Sequence, residues 1–132
     1  HLLHQDDAEK YSAFFEGGLV DIEHVCPKNW SNVDGWTQEE HESLANTIGN
    51  LIPLERAINI QLSNSSFRKK KTGEALRHGI KPYSASLSPE ANELAMNTSD
   101  TWLPADVTTR TEKKIAILSD FFRVDTMNRD KS

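Results

Sequence analysis

The sequence predicts an α+β fold, a small hairpin-plus-helix core embedded in additional α-helices. Three observations carry that expectation. Residues 19–25, Leu-Val-Asp-Ile-Glu-His-Val, alternate partly, are β-prone and are closed by Pro27. Residues 47–54 form a second short apolar segment with Gly49-Asn50 inside it, the signature of a bend or bulge. From Leu54 the spacing becomes helical, with Leu54, Ala57, Ile58 and Leu62 on one face.

The other elements follow in order. Residues 6–15 suit a short helix ended by Gly17-Gly18. Residues 29–35 are polar and turn-rich, with Trp30 and Trp36 at the edges. Thr37 with Glu40 three residues later reads as a capping box opening a helical turn over 37–44. Ser63-Asn64-Ser65-Ser66 interrupts or re-caps the helical pattern, which continues as a basic helix over 67–77, ended by Gly79 and Pro82. Ser88-Pro89-Glu90 is a helix start with Pro at the first helical position, and the helix leads to Met96. Pro104 opens a last helix to about Phe122, with Val107, Ile115, Leu118 and Phe122 as its apolar stripe. Residues 127–132 read as a polar tail. The expected organisation is a helical lead-in over 1–18, a core over 19–82 and a helical extension over 83–132 packing on that core.

A 132-residue chain, 36% hydrophobic and 27% charged, suits one folded soluble domain. No apolar run approaches the ~20 residues of a membrane span, and no membrane partner is expected. His1-Leu2-Leu3-His4 has no basic start and resembles the cut end of a longer protein rather than a signal peptide. The single cysteine, Cys26, excludes an intramolecular disulfide and a multi-thiolate structural zinc site, and a reducing cytoplasm is the natural compartment. Its apolar neighbours favour a packed thiol over a nucleophile. The net charge of −5 speaks against a nucleic-acid partner, but its distribution does not. Residues 67–81 hold Arg68, Lys69, Lys70, Lys71, Arg77 and Lys81 against Glu74, a window of +5 in a remainder of −10. Such a patch serves phosphate binding, although a solvated helix face would look the same.

Three features carry candidate chemistry. In Asp21-Ile22-Glu23-His24, strand alternation puts Asp21 and Glu23 on one face and His24 on the other. A carboxylate beside an imidazole at a strand end can supply a metal ligand and a base from adjacent positions. Asn50, at the foot of the second segment, can accept the proton on the far ring nitrogen of His24 and fix its tautomer. Asn59, nine residues later on the following helix, offers a hard amide oxygen suited to Mg²⁺ or Mn²⁺. Each has a plain structural reading when taken singly: a surface Glu-His, a turn, a helix cap. Their order, with a basic helix following, favours function.

The run Asp21-Ile22-Glu23-His24-Val25-Cys26-Pro27-Lys28, then Gly49-Asn50-Leu51-Ile52-Pro53-Leu54, then Asn59, Ser63-Asn64, Phe67 and Lys70, resembles the HNH-like (ββα-metal) C-terminal nuclease domain of GmrSD-type restriction endonucleases. Trp102, Val107, Arg110, Ile117 and Phe122 are similar to that family's closing pattern, so the resemblance covers roughly residues 19–122. It implies that residues 19–82 are the nuclease core. Glu23 and Asn59 would hold a divalent cation (Mg²⁺ or Mn²⁺, with Ni²⁺ a substitute in vitro), and Asp21 and Asn64 would be further ligands or their supports. His24 would be the general base and Asn50 its orienting partner. Arg68, Lys69, Lys70, Lys71 and Arg77 would grip DNA phosphates. Two departures from the wider superfamily stand out: Glu23 where Asp is commoner, and Asn59 in place of the last His of the name motif.

The reaction so implied is one-metal hydrolysis of a DNA phosphodiester. The resemblance further implies a part in phage defence on double-stranded DNA and an N-terminal ParB-like NTP-using domain in the full-length protein. The alternatives are a non-catalytic DNA- or partner-binding module on the same fold, an RNA-cleaving toxin domain, and a structural helical domain whose basic stretch is only solvated.

Overall fold

The computed structural model describes residues 5–29, 31–62, 65–73, 79 and 81–130, with side chains described from 9 to 123 among them. Among the described residues, six α-helices and two strands run in the order α1 (Gln5–Glu16), β1 (Val20–His24), α2 (Gln38–Leu44), β2 (Leu51–Glu55), α3 (Arg56–Leu62), α4 (Phe67–Thr72), α5 (Pro89–Ala95) and α6 (Pro104–Asp130). This is the α+β architecture expected. The two strands pair antiparallel, with Glu23 opposite Ile52 and His24 opposite Leu51, so His24 stands at the end of the ladder.

Strand alternation then sorts the side chains. Ile52 and Leu54 on β2, and Glu23 on β1, are buried on one face, while His24 and Ile22 take the other. α3 follows β2 without a break and packs on both strands. Its Ile58 and Leu62, one turn apart, enter the core, each contributing about 1.5–3 kcal/mol by burial. The helical pattern read from Leu54 therefore begins two residues later: Leu54 is a strand residue paired with Asp21, and the ladder ends one step on, at Val20 opposite Glu55.

Local capping sets the helix starts. Thr37 and Glu40 form the reciprocal capping box of α2. Ser66 caps α4, and Ser88 caps α5 with Pro89 in its first turn. The basic helix stops at Thr72, earlier than the expected 77, because Gly73 adopts the left-handed conformation (φ 80°) and its N–H closes onto the Lys69 carbonyl.

A single cluster of buried side chains joins Val25, Ile52, Leu54, Ile58 and Phe67 to Tyr83, Leu94, Trp102 and Val107, so the core continues past residue 82. α6 docks through its first turns. Arg110 Nη1 donates to the carbonyls of Ile48, Gly49 and Leu51, and its Nη2 bonds Glu90 at 2.9 Å. Gly49 N–H donates to Thr111 Oγ1, and a Cβ at Gly49 would collide with the Val107 carbonyl and that hydroxyl. Of the stripe expected on α6, only Val107 is buried; Ile115, Leu118 and Phe122 are exposed, because the helix runs on past the body it packs against. Among the described residues no helix is long and apolar enough to cross a membrane.

Candidate functional site

The exit of β1 is held by a buried hub. Asn50 is fully buried and uses all of its amide: Oδ1 accepts from Cys26 N–H (2.8 Å) and Trp102 Nε1–H (3.0 Å), while Nδ2 donates to the carbonyls of Cys26 and Ala45 (2.9 Å each). Its own carbonyl accepts from Val25 N–H at 2.9 Å, extending the ladder one step past His24. Trp36 Nε1 donates to the Trp102 carbonyl, and His41 Nε2 donates to the Pro27 carbonyl. These bonds tie the loop after β1, the end of α2 and the lead-in to α6 to one side chain.

The partner expected for His24 was Asn50; the structure gives it another. His24 Nε2 lies 2.8 Å from Oδ1 of Asn46, an exposed residue just past α2. An oxygen acceptor there places the ring proton on Nε2 and leaves Nδ1 with a lone pair. A half-exposed imidazole so arranged can take a proton from a water molecule. Asn46 escaped the sequence reading because nothing in its spacing marks it; only the fold of α2 against the β1 exit brings it to His24.

On the opposite face lies a buried ion pair. Glu23 (2% exposed) sits 3.2 Å from the ammonium of Lys70 (0% exposed), and Tyr83 Oη donates to the same carboxylate oxygen at 2.8 Å. Lys70 Nζ also donates to the carbonyls of His24 (3.0 Å) and Val25 (3.1 Å). Three acceptors match the three N–H bonds of an ammonium, so the geometry selects the charged form. Burial pushes the Glu23 carboxyl up, against the opposing pull of Lys70 and Tyr83, and pushes the Lys70 ammonium down, against the pull of Glu23. Burial, reinforced by the Glu23 charge, raises Tyr83 well above the usual phenol range.

Other residues singled out from sequence fall elsewhere. Asp21 pairs with Arg56 Nε at 3.0 Å at the open end of the strands. Asn59 is half-buried on α3, and among the described residues no hydrogen bond joins it to Glu23 or His24. Asn64 and Arg77 lie outside the described residues. The basic run divides by helix face. Arg68 and Lys69 are exposed, whereas Lys70 and Lys71 turn inward, away from any phosphate. Lys71 Nζ donates to the carbonyls of Asn97 (2.9 Å) and Ser99 (2.5 Å) and lies 5.3 Å from the Phe67 ring centroid. A lysine whose donors are consumed by interior carbonyls cannot also serve DNA.

The arrangement at Glu23 does not fit a divalent cation. The space in front of its carboxylate is filled by the Lys70 ammonium, and a cation entering there would have to displace a buried charge already matched by three acceptors. Among the described residues no group of three or more His, Cys, Asp or Glu side chains converges to hold a metal.

No curated protein and no solved structure matches the chain. A family model does: the C-terminal domain of GmrSD restriction endonucleases matches residues 2–116, the strand pair, the Asn50 hub, the buried Glu23–Lys70 pair and the docked part of α6 included. The chain belongs to the GmrSD restriction endonuclease C-terminal domain family.

Proposed function

We propose that this domain hydrolyses DNA phosphodiester bonds with His24 as the general base. The observation that carries the reading is the His24 Nε2–Asn46 Oδ1 bond of 2.8 Å at the end of β1, in a family of restriction endonucleases. Asn46 holds the Nε2–H tautomer. Nδ1 then accepts a proton from water, and the hydroxide attacks phosphorus in line with the leaving 3′ oxygen. The Nε2–H···Oδ1 bond strengthens as the ring gains positive charge, because a charged donor makes the stronger bond. Arg68 and Lys69 support substrate binding. They occupy the outer side of α4, whose inner Lys70 reaches the His24 carbonyl, so their charges stand close to the strand end. Restriction endonuclease domains of this kind typically use a divalent cation, and Mg²⁺ or Mn²⁺ belongs in the assay; Glu23 is not given the role of its ligand, for the reason above. A role in defence against phage DNA, beside a separate NTP-using domain, fits the family.

The test is plasmid nicking with Mg²⁺, Mn²⁺ and Ni²⁺, with RNA as a competing substrate. His24→Ala should cut cleavage by about 10²–10⁴-fold, and Asn46→Ala by about tenfold or more, as the ring loses its fixed tautomer. Parental rates in His24→Ala would end the proposal. A second reading, a DNA-binding module without catalysis, draws on the occupied carboxylate of Glu23; it predicts salt-sensitive DNA binding with no cleavage under any of the three ions.

A further inference from the structure

The buried Glu23–Lys70–Tyr83 cluster lies directly beneath the residue to which catalysis is assigned, yet takes no part in the proton transfer. Lys70 comes from α4, 46 residues along the chain from His24, and its ammonium meets the main-chain oxygens of His24 and Val25, the two residues at the strand's exit. These are the last points at which the ladder could fray. Past them the chain leaves β1 for the loop carrying Cys26 and Pro27. Terminal ladder positions are held weakly by the ladder itself, and a charged donor reaching two successive carbonyls is a stronger constraint than a neutral one. Glu23 neutralises the donor, and Tyr83 fixes the carboxylate. Asn46 holds the ring of His24 from one side, and Lys70 holds its backbone from the other.

We propose that Lys70 is a positioning residue for His24, an internal cation that fixes the backbone under the catalytic imidazole, and that Glu23 acts through Lys70 rather than as a metal ligand. This rests on the reading of His24 as the base, and the experiment separates the two. A single Lys70→Met change would leave the Glu23 carboxylate buried without its partner, and unfolding is a foreseeable result. The informative variant is therefore Glu23→Gln with Lys70→Met, which removes both charges and keeps the volumes close.

In the full chain, this double variant should cleave plasmid with kcat lowered about ten- to a hundredfold and DNA affinity held within about twofold, the mark of a displaced base. Its His24 ring ¹⁵N shifts should move from the Nε2–H tautomer toward a mixture of the two, at constant pH, a change that a merely structural loss would not produce. A folded double variant with parental kcat and parental His24 shifts overturns the proposal. The second arm is Glu23→Gln alone, which keeps an oxygen acceptor for Lys70 but removes its counter-charge, so it is assayed at a temperature where circular dichroism shows it folded. The Mg²⁺ or Mn²⁺ concentration giving half-maximal cleavage should stay within about twofold of the parent; a rise of tenfold or more would make Glu23 a metal ligand and overturn it even if the double variant does not fold. Full activity in His24→Ala would instead remove the underlying reading.

Discussion

Asn50→Ala should unfold the domain more readily rather than silence it selectively. The side chain is fully buried and makes four hydrogen bonds. Its removal leaves two donors, Cys26 N–H and Trp102 Nε1–H, and two acceptors, the carbonyls of Cys26 and Ala45, without this partner. A stranded buried donor costs about 1–3 kcal/mol, and carbonyls are the more tolerant side. A water molecule entering the vacated volume recovers part of the loss. The expected cost is about 4 kcal/mol, a large fraction of the ~5–15 kcal/mol that holds a domain of this size together. In urea, with a slope of about 2 kcal/mol per molar, the midpoint should fall by about 2 M.

Tryptophan fluorescence is the direct probe, since Trp102 donates to Asn50 and its carbonyl accepts from Trp36. Cleavage measured well below the new midpoint should persist at a reduced level, because the bond on the His24 ring comes from Asn46. A variant whose midpoint stays within about 0.3 M of the parent, yet whose cleavage is lost as in His24→Ala, would refute this. Asn50 would then act on the imidazole, as the sequence alone suggests.

The surface and interior halves of the basic run should respond differently. Arg68→Ala with Lys69→Ala should flatten the log–log salt dependence of duplex binding by about two units, near one per phosphate contact, and an unchanged slope would remove α4 from the DNA interface. Lys71→Met, by contrast, should leave the slope alone and lower stability, since its donors hold the 97–100 segment. Burial, opposed by the charge of Lys70, pushes the Cys26 thiol up to about 11 from an ordinary 9.0. The folded state thus keeps its proton where the unfolded chain loses it: the stabilisation is fully present below pH 9 and is lost as pH rises through 11. Cys26→Ala should therefore remove about 2–3 kcal/mol of alkaline destabilisation across that window, read as the difference between the two proteins' urea midpoints at each pH; parallel curves would contradict it.

What the sequence shows and what it hides divide along a physical line. Signals closed within a few residues were legible: the Thr37–Glu40 capping box, the Ser88-Pro89 start, and the β-prone segment over 19–25, which the structure forms as a strand over Val20–His24. The sequence marks Asn50 as a partner for the His24 ring; its place as a structural hub was not legible, because Cys26 and Trp102 lie 24 and 52 residues away. The same holds for Asn46 and His24.

The lysines of α4 are more instructive, because the position rule was available and the residue type obscured it. Phe67 is buried, and the positions three and four residues on from a buried helical residue share its face. Those positions are Lys70 and Lys71, while Arg68 and Lys69 fall outside it. α6 repeats the pattern. Three, four and seven residues after buried Val107 come Arg110, Thr111 and Lys114, all of them engaged with the body of the domain, while the apolar Ile115, Leu118 and Phe122 lie exposed. A stripe drawn through hydrophobic residues alone misplaces the inward face of both helices. Lys70 and Arg110 are tolerable inside because each meets several acceptors at once: carbonyls at the exit of β1 or the entry of β2, and a carboxylate from β1 or α5. Both cations grip main chain next to the His24–Leu51 end of the sheet, Lys70 at the exit of β1 and Arg110 at the entry of β2. The end of the ladder that presents His24 is thus clamped from two helices by charge as well as by the apolar packing of Val25 and Ile52, and the buried cations converge on the strand end at which the proposed chemistry would sit.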